Sequence, residues 1–126
     1  MHAVLLVGSG GFLGAVARYA LAAWIVQVAG TDRFPWGTLV VNVAGCLAVS
    51  VLAGAAERFN ALGPDARLFL VTGVLGGFTT FSAFGLETVQ MLRRGDAVNA
   101  ALYAGASMGL GVFAVWLGLR LLTVHR

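Results

Sequence analysis

Four stretches of the chain are apolar and long enough to cross a bilayer, and little remains once they are set aside. A membrane-spanning helix needs about 20 mostly apolar residues to cover about 30 Å of hydrocarbon. Residues 3–29, 36–56, 68–92 and 97–119 each meet that length. The first is interrupted by Arg18, the third carries Glu87 near its end, and the second and fourth carry no charge. The connections GTDRFP, ERFNALGPDAR and RRGDA hold glycine, proline and the local charges, as loops at a headgroup layer should. The expected fold is all-α, a single four-span transmembrane domain over residues 1–126.

Composition agrees with this and removes several function classes. The chain is 60% hydrophobic and 10% charged, with a mean hydropathy of +0.92, as expected for a membrane protein. The sequence pI of about 10.0 rests on eight scattered arginines and no lysine, not on a basic patch, so nucleic acid is no expected partner. Cys46, alone in an apolar run, is read as a small buried hydrophobe. The only histidines, His2 and His125, are terminal, so no intramembrane Ser/His pair forms and an enzyme is not expected. The N-terminus lacks the basic segment of a cleavable signal.

Orientation follows from arginine placement. Arg58, Arg67, Arg120 and Arg126 fall on one side, and Arg33, Arg93 and Arg94 on the other. The positive-inside rule needs an asymmetry to set orientation, and this pattern has almost none. Insertion both ways round is therefore allowed, and an antiparallel homodimer is a natural assembly. Trp36 and Trp116 near span ends fit an aromatic belt. Gly10 with Gly14, and Gly105 with Gly109, have the spacing of close helix–helix contacts.

Polar residues inside spans are costly and point to function or to packing. Arg18 can snorkel, line an aqueous vestibule, or pair with backbone carbonyls or Glu87. Asn42 can bridge two helices or aim its amide at an anion. Glu87 follows Thr80 by two helical turns and shares its face, and Tyr103 and Ser107 share another. Glu87 is a proton-coupled carboxylate or a polar wall residue near the interface. Residues 76–85, GGFTTFSAFG, sit near the middle of the third span. As one helix that span would measure about 37 Å, with its midpoint at Thr80. Gly76 and Gly77 disfavour helix there by about 1 kcal/mol each. Either the helix breaks at the bilayer midplane, as in transporter ion sites, or it stays intact with a close-packed glycine face. Phe81 and Phe84, three apart, share a face. They pack in a core, or turn their positive ring edges to an anion.

The string GGFTTFSAF, with Asn42 inside WGTLVVNVAG, ARY at 17–19 and four spans, closely resembles the Fluc (CrcB) family of fluoride channels over essentially the whole chain. The resemblance implies an antiparallel, dual-topology homodimer in the plasma (inner) membrane, with two pores exporting fluoride passively. The fluoride reaches the cytoplasm as hydrogen fluoride and dissociates there. It implies pore phenylalanines at Phe81 and Phe84, a pore asparagine at Asn42, and a polar track of Thr80, Ser82, Glu87, Tyr103 and Ser107. Arg18 matches the vestibule arginine. A structural sodium ion at the dimer centre would be held by main-chain carbonyls of Gly76 and Thr79 from each subunit. Two positions depart from the pattern: Ala83 stands where many members have a hydroxyl, and Gly111 where the track would continue. The main alternative is a proton-coupled exporter of the small multidrug-resistance type. It needs a glutamate in its first span, where this chain has Arg18 and no acid. A non-transporting membrane subunit is a second alternative.

Overall fold

The computed structural model describes residues 1–123; Arg126 and His125 lie outside the described residues. Those residues are helical throughout, with short turns and no strand. Helix α1 spans His2–Ala29 and α2 spans Trp36–Phe59. The third membrane segment, Pro64–Arg93, is composite. It opens with α3 (Pro64–Arg67), runs through a π-helical stretch (Leu68–Leu75) and a single turn α4 (Gly76–Phe78), and continues as α5 (Phe81–Arg93). Helix α6 spans Ala97–Thr123. Four segments are thus long and apolar enough to cross a membrane, each reaching somewhat beyond its apolar run.

The turns use the chemistry that the connections carry. Gly30 ends α1 in the left-handed region at φ 69°, where a side chain would be strained, and its N–H closes onto Val26 O. Pro64 opens α3 at a position where its missing N–H costs nothing. His2 and Asp65, 2.9 Å apart, tie the start of α1 to this connection.

Two pairings organise the bundle: α2 lies along α6, and α1 lies along the first half of the third segment. The second pairing is made by glycine on both sides. A Cβ on Gly14 would strike Val74 O, one on Gly10 would lie 3.0 Å from Gly73 Cα, and one on Gly77 would strike Gly11 O. Lipid supplies no hydrophobic drive between helices, so close backbone approach is what holds such a pair. Gly73 and Gly77 repeat the spacing of Gly10 and Gly14 on the facing segment. At Gly105 and Gly109, expected to form a second contact of this kind, an added Cβ would meet nothing within 4 Å among the described residues. The glycines of α6 that face α2 are Gly111, where a Cβ would lie 3.4 Å from Cys46 Sγ, and Gly118, where one would strike Ser50.

The interior is small. Leu39, Met91, Ala100 and Tyr103 form its centre, with Phe34, Val43, Phe84 and Ala106 packed around them. Large apolar side chains such as Phe12, Trp24, Leu102 and Phe113 remain exposed, as in a segment solvated by lipid.

Candidate functional site

The third segment changes conformation at two threonines. Thr79 (φ −83°, ψ 153°) and Thr80 (φ −147°, ψ 117°) are extended, between helical turns on either side. The Thr79 N–H and hydroxyl both donate to Leu75 O at 3.0 Å, ending the preceding helix. Thr80 then caps α5: its hydroxyl oxygen accepts from the Ala83 N–H at 3.2 Å.

Asn42 supplies what the backbone of Thr80 loses. Its Oδ1 accepts from Thr80 N at 2.8 Å, and its Nδ2 donates to Thr80 O at 3.0 Å. Gly45, one turn on, leaves room for the Thr79 methyl, which a Cβ there would strike. The amide expected to face an anion thus spends its carbonyl and one N–H on the main chain, leaving one N–H.

Gly76 and Gly77 stay helical, Gly76 at φ −63° and ψ −38°. Their weak propensity is overridden by the contact of Gly77 with α1, which needs the missing side chain. Helix is given up two residues later, where α2 offers the Asn42 amide in exchange. The four carbonyls of Gly76 to Thr79 lose their helical donors as a result, and that of Gly77 accepts from Arg18 Nε instead. The Thr80 N–H that would close onto Gly76 O goes to Asn42. The Ala83 N–H, four residues beyond Thr79, goes to the Thr80 hydroxyl. The Gly76 and Thr79 carbonyls are hard oxygen donors of the kind that suits a small cation.

Gly76 and Thr79 line a groove of about 410 Å³ together with Asn42, Thr80, Phe81, Phe84 and Ser107. Phe81 is 84% exposed, and its ring centroid lies 5.6 Å from that of Phe84. Phe84 continues to Tyr103 at 5.1 Å, and Tyr103 meets Phe34 edge-on at 5.7 Å. The Ser107 hydroxyl is buried and has no hydrogen-bond partner among the described residues.

On the other side of Thr80 lies a cleft of about 620 Å³ lined by Arg18, Thr38, Glu87 and, at the loop, Asp32. Arg18 Nε donates to Gly77 O at 3.1 Å, so the guanidinium pairs with a carbonyl and not with Glu87. The two terminal nitrogens of that guanidinium keep their N–H groups for other partners. Glu87 is held from two helices. Thr38 donates to its Oε1 at 2.7 Å and Tyr103 to its Oε2 at 2.9 Å. Tyr103 is fully buried, and its hydroxyl proton, expected to face the track, is committed to Glu87. Ser82 is exposed, its hydroxyl 3.3 Å from that of Thr80. Ala83 lines the Arg18 cleft, so the missing hydroxyl is missing from that wall.

The residues singled out in the sequence therefore gather on both sides of Thr80, which lines the groove and the cleft alike. Thr38 was not among them. Its signal was its position one helical turn before Asn42, on the same face of α2.

Residues 5–119 match the family model described as CrcB-like protein, Camphor Resistance (CrcB). The chain is 47% identical over 122 residues to the fluoride-specific ion channel FluC of Rhizobium meliloti (strain 1021), covering 97% of each. It is 50% identical over 120 residues to the protein of that name from Hyphomonas neptunium, covering 94% of each. Against the one from Nitratidesulfovibrio vulgaris the figures are 45% over 119 residues, 94% of this chain and 95% of the other. These relatives are named as channels, a transporter family and not enzymes. With four membrane-spanning segments and relatives of this kind, the protein is a multi-pass protein of the inner membrane, and the chain belongs to the CrcB family.

Proposed function

We propose that the chain is a fluoride-selective channel, exporting cytoplasmic fluoride passively through two pores of an antiparallel homodimer. The relatives' names point to the ion. The observation that carries the path is the position of Thr80, the wall common to the Arg18 cleft and the phenylalanine groove. Its hydroxyl oxygen already accepts from Ala83, so its proton is left to donate. An anion would enter beside the Arg18 guanidinium and exchange water for the Thr80 and Ser82 hydroxyls. It would then move past the edges of Phe81 and Phe84 to the unpartnered Ser107 hydroxyl. Fluoride is small and strongly hydrated, so a pore must replace its water at several moderate sites without trapping it. Ring edges are positive but weak partners, which suits that requirement.

The interruption at Thr79 and Thr80 would lie at the bilayer midplane, where extended backbone is tolerated only if buried in protein or lining a cavity. Phe81, exposed in one protomer, would be covered by the second copy. Gly76 O and Thr79 O, their helical donors diverted, would hold a structural sodium ion between two copies. That ion would supply fixed positive charge between the two anion paths and a partner for the carbonyls.

The test is anion efflux from liposomes holding the purified protein. Fast fluoride release without chloride release is expected; equal chloride flux would remove the selectivity, and no fluoride flux the channel.

A further inference from the structure

On α6 the polar side chains that line the phenylalanine groove stop at Ser107. Its hydroxyl oxygen is buried and has no hydrogen-bond partner among the described residues. One helical turn further on the same face stands Gly111, which has no side chain to offer. The helix lying along α6 supplies what is missing. A Cβ on Gly111 would lie 3.4 Å from Cys46 Sγ, so the thiol of α2 stands against the place where a side chain from α6 would begin.

Asn42, Cys46 and Ser50 follow one another by single turns along one face of α2. Asn42 is spent on the main chain of Thr80. Ser50 is fully buried, with its hydroxyl 2.7 Å from Leu47 O and 3.3 Å from Ala114 O, so main-chain carbonyls hold its proton. Cys46 lies between them, half-buried and in no disulfide. Both Cys46 and Ser50 stand against a glycine of α6. Ser50 is closed into that packing, whereas Cys46 lines the groove that also holds Ser107, Thr80 and Phe81. Filling space is the ordinary use of a small thiol. The open groove and the unpartnered Ser107 hydroxyl within it set Cys46 apart from that use.

We propose that the Cys46 thiol is the next donor on the anion's path after Ser107, supplied by α2 where α6 has only Gly111. This rests on the fluoride-channel reading. An anion leaving the Ser107 hydroxyl meets the S–H of Cys46 instead of a bare glycine turn. A thiol is a weak donor. It offsets part of the water the ion has lost without holding the ion, which is what a site near the end of a conducting path must do.

The experiment separates a donor from a space-filler. Fluoride efflux from liposomes is expected to fall about fivefold in Cys46→Ala, the scale of one hydrogen bond, while Cys46→Ser, which keeps a donor, runs close to wild type. Adding Gly111→Ser to C46A returns a hydroxyl from α6 and should restore flux. Adding Gly111→Ala instead returns only volume and should not. Wild-type flux in C46A, C46S as slow as C46A, or equal rescue by G111A and G111S overturns the proposal. The chain has one cysteine, so the infrared S–H stretch of the wild-type protein tests the contact without any flux or variant. The band is expected to shift when fluoride is added and not when chloride is added. An unshifted band overturns the assignment even where the channel assay succeeds. A fluoride-specific shift with no fluoride flux from the wild type would remove the channel reading, and with it the role in passage, while leaving the anion contact.

Discussion

The Asn42 side chain and the Thr80 main chain exchange two hydrogen bonds, one accepted at 2.8 Å and one donated at 3.0 Å. The pairing is what one strand offers another, supplied here by a side chain from a neighbouring helix. It lets the third segment leave helix for two residues without stranding the Thr80 N–H and C=O. An unsatisfied buried group costs about 1–3 kcal/mol.

Asn42→Ala removes both partners at once. It is expected to lower thermal stability by a few kcal/mol, about 1–3 per stranded group, and to reduce fluoride efflux by about tenfold or more. Asn42→Asp keeps the acceptor for Thr80 N but sets a carboxylate oxygen against Thr80 O, so it should do no better. Thermal melts in detergent alongside liposome flux check both; a stable, fully active N42D would contradict the two-point clamp.

The glycine seam gives a sharper steric contrast. Gly14→Ala drives a methyl into Val74 O, and Gly77→Ala into Gly11 O, backbone atoms that cannot turn aside. Each should cost about 1–3 kcal/mol, the range for overpacking. Gly8→Ala, with nothing within 4 Å, should melt within about 0.5 kcal/mol of the parent, as surface changes do. Equal melting of all three would mean that α1 does not rest on these contacts.

The phenylalanines divide by burial. Phe81→Ile should cut fluoride flux with little loss of protomer stability, because the ring is 84% exposed in the protomer. Phe84→Ile should cut flux and also destabilise, by about 1 kcal/mol from the lost aromatic pair, because Phe84 packs 5.1 Å from Tyr103. Flux unchanged in both variants would return the rings to packing alone.

Sodium should stabilise the assembly if the Gly76 and Thr79 carbonyls hold it. A ligand that binds only the folded state raises stability by about 2.7 kcal/mol at a hundred times its dissociation constant. Melting temperature should therefore rise with sodium and not with a bulky organic cation at equal ionic strength. A flat response would leave those carbonyls without the ion.

Antiparallel pairing has its own test in the arginines. Arg58, Arg67 and Arg120 on one side face Arg33, Arg93 and Arg94 on the other, with Arg126 added to the first. Adding several lysines to one end should bias insertion and abolish flux until the oppositely biased variant is co-expressed. Full flux from one strongly biased version would rule out obligatory antiparallel pairs.

The four spans were legible in the sequence because each depends on a local quantity, about 20 apolar residues in a row between charges. The stretch GGFTTFSAFG was legible as unusual for the same reason, since its composition breaks a hydrophobic run. Which residue of that stretch leaves helix was not local. Propensity pointed to Gly76 and Gly77, but Gly77 must stay bare against the Gly11 backbone of α1, while α2 brings the Asn42 amide to Thr80. Spacing likewise put Gly105 and Gly109 on one face but could not say that a Cβ at either would meet nothing within 4 Å among the described residues. The same limit hid Thr38, and it left Arg18 as the one partner suggested for Glu87, where the structure gives Thr38 and Tyr103. Helical periodicity relates residues three and four apart on one segment and carries nothing about which face of another segment stands opposite. The order of residues was enough to establish that the chain crosses the membrane four times and where its polar residues fall. The packing of α1 and α2 against the third segment was needed to set where the backbone opens, which hydroxyls are committed, and that Thr80 is the wall shared by the two cavities.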